Sequence, residues 1–180
     1  MHSHPVPSPW IVRFAAQLPP QGRVLDVACG SGRHATYLQG LGHHVTGVDR
    51  DAAAIEALQA GLPGRLNRFI CADIENGPWP FAGEQFDAVV VTNYLWRPRL
   101  PQVLAAVAPG GWLLYETFAQ GNEAYGKPSR PDFLLHPGEL LEHCAAAAGW
   151  QVAAYEHGHL PSPDRVVQRI AAMRMQNGRP

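Results

Sequence analysis

Three aspartates, Asp26, Asp49 and Asp73, each stand at or beside a short apolar run in the first half of the chain. Asp26 lies inside the run Val24-Leu25-Asp26-Val27-Ala28, four residues ahead of the first glycine of the turn Gly30-Ser31-Gly32. A carboxylate within an apolar strand is costly unless it is paired or hydrogen-bonded. A pyrophosphate would be repelled by it, whereas a ligand carrying an ammonium group would be attracted. The two glycines let a ligand approach the backbone, and a helix starting there offers N–H donors to a carboxylate or another anion. Asp49 follows 17 residues after Gly32, where a carboxylate can accept hydrogen bonds from both hydroxyls of a ribose. Asp73, in Cys71-Ala72-Asp73-Ile74, is placed to receive the exocyclic amine of an adenine. Taken singly, Asp49 and Asp73 read equally well as a helix cap or a turn residue. Together with Asp26 and the glycine turn they make a line of carboxylates at three successive strand ends, which is where open α/β sheets bind ligands.

The elements that must hold that line follow from the alternation of short apolar runs with helical patterns. Strands are predicted at about 23–28, 44–49, 66–71, 86–92 and 111–117, each an apolar run of strand length bounded by Gly, Pro or Asp. Helices are predicted over 32–41, 52–61 and 98–107, with Gly42, Gly61 or Pro109 near their ends. An N-terminal helix over 8–18 is opened by Ser8-Pro9 and carries Trp10, Phe14 and Leu18 four apart. Strand alternating with helix means a parallel sheet wound with crossover helices. The last third changes rhythm: a loop over 119–136, a helix over 137–148 stopped by Gly149, then strands at 150–155 and 166–173. The turn-rich residues 157–164 between those two strands allow an antiparallel closing pair. The tally is seven strands.

Composition bounds the function classes. At 180 residues with 46% hydrophobic and 16% charged residues, the chain is expected to form one domain, 1–180, with a real core. Fourteen basic against fifteen acidic residues, a formal net charge of −1, argue against nucleic-acid and anionic-membrane partners. No apolar stretch approaches the ~18–20 residues that span a bilayer. The first residues, Met1-His2-Ser3-His4-Pro5, lack the regions of a signal peptide. Three cysteines without a CxxC pair suit a reducing compartment and form no zinc pattern. A cytoplasmic protein is the expectation.

Asp26-Val27-Ala28-Cys29-Gly30-Ser31-Gly32 resembles the first motif, D-x-[GA]-x-G-x-G, of class I S-adenosylmethionine-dependent methyltransferases. Asp49 matches the acidic residue at the end of that family's second strand. Phe86-Asp87-Ala88-Val89 is similar to its fourth-strand motif, and Pro109-Gly110-Gly111 to the turn before its fifth strand. The resemblance runs from about Trp10 to Met173. It implies a Rossmann-like three-layer α/β sandwich with a seven-stranded, mostly parallel sheet in the order 3-2-1-4-5-7-6, the last strand antiparallel. It puts Gly30, Gly32, Asp49 and Asp73 on S-adenosylmethionine, with Ala28, Arg50, Ile74 and Asn93 beside them and Asp26 contacting the methionine ammonium directly or through water. Ala28 departs from the glycine found in many members. Within the family, Cys29–Arg33 with Tyr37-Leu38, and 133–141, resemble the tellurite-resistance and thiopurine-type branch.

Transfer from a sulfonium is an in-line displacement of an already activated methyl group, so positioning can supply much of the rate. A base is needed only where the acceptor arrives protonated. The acceptor is expected to be a small molecule held by Tyr94, Trp96 and Arg97 after the fourth strand, Glu116 at the end of the fifth, and Tyr125 and Arg130 in a lid formed by 119–136. Tyr94, Arg33 and His157 are the candidate catalytic residues. His157 and His159, two apart, would suit a base or metal pair, but no third ligand accompanies them, so no metal is expected. Two other classes share part of the pattern. A nicotinamide-dependent oxidoreductase would use the glycine turn and Asp49 but leave Asp26 and Asp73 without a role. A non-catalytic binder of the cofactor would keep the carboxylates and lack an open acceptor pocket. Acceptor identity is set by loops rather than by fold, and thiols, chalcogen oxyanions, small amines and carboxylates all remain open.

Overall fold

A computed structural model of the protein describes residues 6–62, 64, 66–145 and 148–176. All seven strands join one sheet in the order β3-β2-β1-β4-β5-β7-β6. The parallel members are β1 (Arg23–Val27), β2 (His44–Asp49), β3 (Arg68–Cys71), β4 (Phe86–Thr92) and β5 (Val107–Phe118), while β7 (Arg165–Arg174) runs antiparallel to both β5 and the edge strand β6 (Trp150–Leu160). This is the predicted architecture. The order reverses at β1, so the carboxyl ends of β1 and β4 open a crevice between them.

The central strands read as near-continuous apolar runs because both faces are covered. On one face Val24, Val45, Val90, Leu114 and Ala171 pack against α1 (Pro9–Ala15), α2 (Arg33–Gly40) and α3 (Ala52–Gly61). On the other, Leu25, Val27, Val89, Leu113 and Ile170 pack against α4 (Leu100–Ala105) and α5 (Glu139–His143). Side chains alternate along a strand, so Asp26 shares the first face with Val24. Thr92 and Glu116 share it with Val90 and Leu114. Three polar side chains are thereby aimed at α1 and α2.

Several boundaries differ from the sequence expectation, each for a physical reason. Helix α1 covers only Pro9–Ala15, capped by Ser8, whose Oγ accepts from the Trp10 N–H. Strand β1 stops at Val27 because Ala28 turns to φ +54°. Strand β3 begins at Arg68, with Leu66 left exposed. Strand β5 starts at Val107, where Phe86 pairs with Val107 before the register shifts, and Pro109-Gly110-Gly111 sits inside that irregularity. The helix predicted over 98–107 divides into a 3₁₀ turn, Arg97–Arg99, and α4. Helix α5 is one short segment of the predicted 137–148, of which 146 and 147 lie outside the described residues.

The largest difference is at the carboxyl end. Strand β6 continues to Leu160 and β7 begins at Arg165, so residues 157–160 belong to the strand and the connection shrinks to Pro161–Asp164. His157 pairs with Gln168 and His159 with Val166. Backbone bonding to β7 extends an edge strand whose side chains are mostly exposed, and an edge tolerates the Gly158 that reads as a turn residue.

Candidate functional site

The smaller of two neighbouring cavities has a volume of about 280 Å³ and lies at the carboxyl ends of β1, β2, β3 and β4. Ala28, Asp49, Arg50, Asp73, Ile74 and Asn93 line it, joined by Tyr94. Two of these, Ala28 and Asn93, hold φ near +54°. For a side chain other than glycine that backbone costs about 1–2 kcal/mol, and such strain gathers at ligand sites. Ala28 therefore occupies a conformation natural to glycine.

Local bonding explains the cavity's shape. Asp49 braces the glycine turn: Gly30 N–H donates to its Oδ2 at 2.8 Å and Asp51 N–H to its Oδ1 at 2.9 Å. The cap of α3 is Asp51, which accepts from Ala53 and Ala54, so Asp49 is left to face the cavity. Asp73 is both a turn residue and a cavity wall. It accepts from the N–H groups of Glu75 and Asn76 and from the Asn76 amide, bonds that hold its carboxyl below the ordinary range. The Arg99 guanidinium donates to the carbonyls of Ile74 and Gly77 and ties that turn to α4. The two loop glycines differ. A Cβ on Gly32 (φ +77°) would meet Leu58 Cδ2 at 2.2 Å, whereas one on Gly30 would meet nothing within 4 Å. Gly32 is required by helix packing, and Gly30 fronts open space that a ligand can enter.

Asp26 lines neither cavity. It is 1% exposed beneath the turn, and its Oδ2 has no hydrogen-bond partner. Burial pushes its pKa up to about 7, against the pull of the Ala35 N–H and the Arg33 charge, with Asp49 adding to the rise. A buried carboxyl with one bare oxygen is poised to take a donor or a cation. The Cys29 thiol beside it is buried, with its pKa driven up mainly by desolvation and then by Asp26 and Asp49, and so it is not a nucleophile at neutral pH.

The larger cavity, about 850 Å³, is lined by residues from α1's entry, α2, the ends of β4 and β5, the 119–136 segment and the β6–β7 turn. Asn93 lines both cavities, and its N–H donates to the Glu116 carbonyl at 3.0 Å. Glu116 is buried. Its Oε1 accepts from Ser8 Oγ at 3.0 Å and its Oε2 from Arg169 at 3.3 Å. Ser8 N–H also donates to His34 Nε2, whose Nδ1 lies 3.3 Å from Thr92 Oγ1. Burial, aided by Arg33, lowers the His34 pKa to about 4, so the neutral ring can accept from Ser8 while its other nitrogen donates to Thr92. Ser8 thus locks residues 6–9 over the cavity.

The expected acceptor residues divide between these places. Glu116 and Tyr125 line the larger cavity, as does Arg33. Tyr94 lines only the smaller one. Its buried hydroxyl has no partner and desolvation raises its pKa, which makes it a poor base at neutral pH. Trp96 lines neither cavity and precedes the 3₁₀ turn. Arg97 is occupied: it donates to both carboxylate oxygens of Glu139, at 2.7 and 2.9 Å, and to the carbonyls of Asp132 and Leu134. Burial would raise the Glu139 carboxyl, but the Arg97 bonds outweigh it and hold it below its ordinary range. Arg97 is thus a fastener of the 119–136 segment, which an Ala119–Leu135 bridge also closes at its base. Arg130 is exposed, paired with Asp132 and stacked on Phe133. His157 faces a separate groove along β6, while His159 pairs with Asp164 at 2.7 Å and its ring lies 5.0 Å from that of Tyr125. No group of three or more His, Cys, Asp or Glu side chains able to hold a metal occurs among the described residues. Ser8, Arg165 and Arg169 wall the larger cavity without any local sequence pattern that marks them for it. Ser8 carried a signal only as a helix cap, and the Arg169–Glu116 pair spans 53 positions.

Residues 24–111 match the family model described as a methyltransferase domain. The matched stretch runs from β1 to the first part of β5 and holds all of the strand ends that build the smaller cavity. In sequence, the chain is 38% identical over 100 residues to an uncharacterized methyltransferase of Mycobacterium bovis, across 53% of this chain and 50% of the relative. The chain spans about half the length of the sequence relatives it matches. TehB from Haemophilus influenzae shares the fold with a TM-score of 0.66 and 26% identity, over 92% of this chain and 61% of that one. The 1,6-didemethyltoxoflavin-N1-methyltransferase of Burkholderia thailandensis, solved with S-adenosylhomocysteine bound, aligns with a TM-score of 0.68 at 20% identity, over 93% and 77% of the two chains. The carboxylates of the smaller cavity, with the open space over Gly30, fit the hydroxyls and amines of the S-adenosylhomocysteine seen in that neighbour. Among the described residues, no helix is long and apolar enough to cross a membrane.

Proposed function

We propose that the protein transfers a methyl group from S-adenosylmethionine to a small-molecule acceptor. The observation that carries this reading is the pair of cavities meeting at Asn93, one rimmed by carboxylates at the ends of β2 and β3, the other large enough for a drug-sized molecule. Bound S-adenosylmethionine supplies a methyl group on a sulfonium, activated for in-line displacement. The chain's own residues orient and enclose. Asp49 accepts from the ribose hydroxyls with the lone pairs that Gly30 and Asp51 leave free. Asp73 and Ile74 flank the adenine, Arg50 and Ala28 wall the cavity, and Asp26 takes the methionine ammonium directly or through water. Asn93, held by the Glu116 carbonyl, divides the two reactants.

Among the described residues, both carboxylates of the larger cavity are engaged, Glu116 by Ser8 and Arg169 and Asp164 by His159. Catalysis by positioning therefore fits best, with an acceptor that arrives deprotonated or loses its proton to water. The open larger cavity also disfavours a non-catalytic binder, and the buried Asp26 disfavours a nicotinamide enzyme. The finer placement near the tellurite-resistance and thiopurine-type branch rests on Cys29–Arg33 and 133–141 and is part of the same proposal.

Calorimetric titration with S-adenosylhomocysteine and NADH tests the reading. S-adenosylhomocysteine is expected to bind and NADH not to. Asp49→Ala is expected to weaken S-adenosylhomocysteine by about 1.5–3 kcal/mol, the worth of a hydrogen bond to a charged group. Tight NADH binding with no response to S-adenosylhomocysteine would overturn the assignment.

A further inference from the structure

The walls of the larger cavity carry an imbalance of charge. Arg33, Lys127, Arg165 and Arg169 line it, against Glu116 and Asp164. Both carboxylates are taken, Glu116 by Arg169 and Ser8, Asp164 by His159. Three cations are left without a carboxylate: among the described residues, Arg33, Lys127 and Arg165 form no ion pair, and Arg165 spends one N–H on the Pro163 carbonyl at 3.1 Å. They come from three separate elements, the start of α2, the 119–136 segment and the β6–β7 turn.

Arg33 is the most telling of the three. It follows Gly32 directly, is half-buried, and its guanidinium donates to no described group, whereas Arg97, Arg99 and Arg169 are each fastened to a carboxylate or a carbonyl. It is near enough to Asp26 to bias that carboxyl, yet lies outside ion-pair distance of it. A planar fork of donors that stays unclaimed while half out of water matches the geometry of a carboxylate. Beside the polar Ser8, Asn93, Asn122 and Ser162, the wall offers apolar surface from Phe118, Tyr125 and Leu160 together with prolines on either side.

We propose that the methyl acceptor is an organic carboxylate with an apolar body, its anionic end held by Arg33 and Arg165 and its body lodged between the 119–136 segment and the β6–β7 turn. The inference rests on the methyl-transfer reading above and adds the acceptor's chemical class. Arg33 and Arg165 set specificity by leaving half-buried charged donors without a charged partner when a neutral analogue enters, which penalises that analogue.

The test uses the whole protein saturated with S-adenosylhomocysteine and titrates benzoate, phenylacetate and cinnamate against the corresponding amides by calorimetry. At least one carboxylate is expected to bind about tenfold or more tightly than its amide, the scale of a charge-assisted hydrogen bond. The Arg33→Met, Arg165→Met double variant should lose that preference while keeping its affinity for S-adenosylhomocysteine. Arg130→Met, at an exposed arginine outside both cavities, should keep the preference. Equal binding of every acid and amide overturns the proposal while leaving the methyltransferase reading intact. So does a preference that survives the double variant. Weakened S-adenosylhomocysteine binding in that variant, with the preference retained, would assign Arg33 to the cofactor's carboxylate and overturn the proposal as well. Failure of the wild-type protein to bind S-adenosylhomocysteine at all removes the underlying reading, a result separate from the other three.

Discussion

The two cavities meet at one residue and are built on opposite principles. The smaller takes its walls from the ends of consecutive parallel strands, so each contributing residue sits beside a strand that the sheet fixes, and the chain supplies them in order: Ala28, Asp49, Asp73, Asn93. The larger takes its walls from the N-terminal entry, a long connection and a hairpin turn, the first and last more than 150 positions apart in the chain, and side-chain bonds fasten the entry to β5 and the connection to Arg97. A site on strand ends is rigid and shared across a fold, whereas one made from loops can change without disturbing the sheet. Changes on the first side should therefore alter cofactor affinity, and changes on the second should alter stability locally and acceptor handling.

The largest effect is expected at Asp26. Its folded pKa is raised from 3.8 to about 7, so the folded state holds a proton that the unfolded state releases. The stabilisation is complete below about pH 4 and is lost as pH rises through 7, a span worth up to about 4 kcal/mol. Asp26→Asn should abolish that slope in chemical denaturation and raise stability at pH 8, while weakening S-adenosylhomocysteine. In the wild type, affinity for S-adenosylhomocysteine should climb from pH 5 to pH 8 as the carboxylate ionises. A pH-independent affinity would separate Asp26 from the cofactor.

Next comes Gly32→Ala. Positive φ and the clash with Leu58 together should destabilise the fold by about 2–4 kcal/mol in denaturant melts. Gly30→Ala meets no neighbour and should lose only about 1 kcal/mol of stability from its backbone, with the greater loss in cofactor affinity. The contrast between the two glycines distinguishes packing from ligand approach.

On the acceptor side, Arg97→Ala should lower stability by about 1.5–3 kcal/mol, because it strips the partner from the buried Glu139 carboxylate. Cofactor affinity should stay unchanged, and proteolysis should cut first within 119–136. The smallest effect is expected at Ser8→Ala, about 1 kcal/mol from the lost cap and its bond to Glu116. Its readout is acceptor KM with cofactor affinity constant, and an equal change in both would mean the two cavities are not separable.

Periodicity alone located β1 to β4 to within two residues, because their buried faces leave a plain apolar run, while β5 starts four residues ahead of its predicted bound. It missed the second half of β6, where pairing with β7 rather than burial holds His157 and His159 in the strand. It also read Arg97 as a substrate residue, since a cation after β4 looks the same whether it meets a ligand or Glu139. Trp96 and Arg130 were named from their nearness in sequence to the fourth strand and the 119–136 segment, and the fold turns both away from the cavities.

The sequence by itself determined the parallel-sheet framework and its line of acidic residues, since a carboxylate inside an apolar strand, a glycine turn and carboxylates at successive strand ends are local patterns whose spacing the chain carries directly. The high glycine content likewise shows its purpose locally, at Gly30 and Gly32. Only the tertiary structure decided which charges are spent on holding the fold and which are left over. Glu116 meets Arg169 and Ser8, Arg97 meets Glu139, and among the described residues Arg33, Arg165 and Lys127 meet no carboxylate around the larger cavity. Charge pairing across dozens of positions depends on which surfaces the folded sheet brings together, and no local pattern records it.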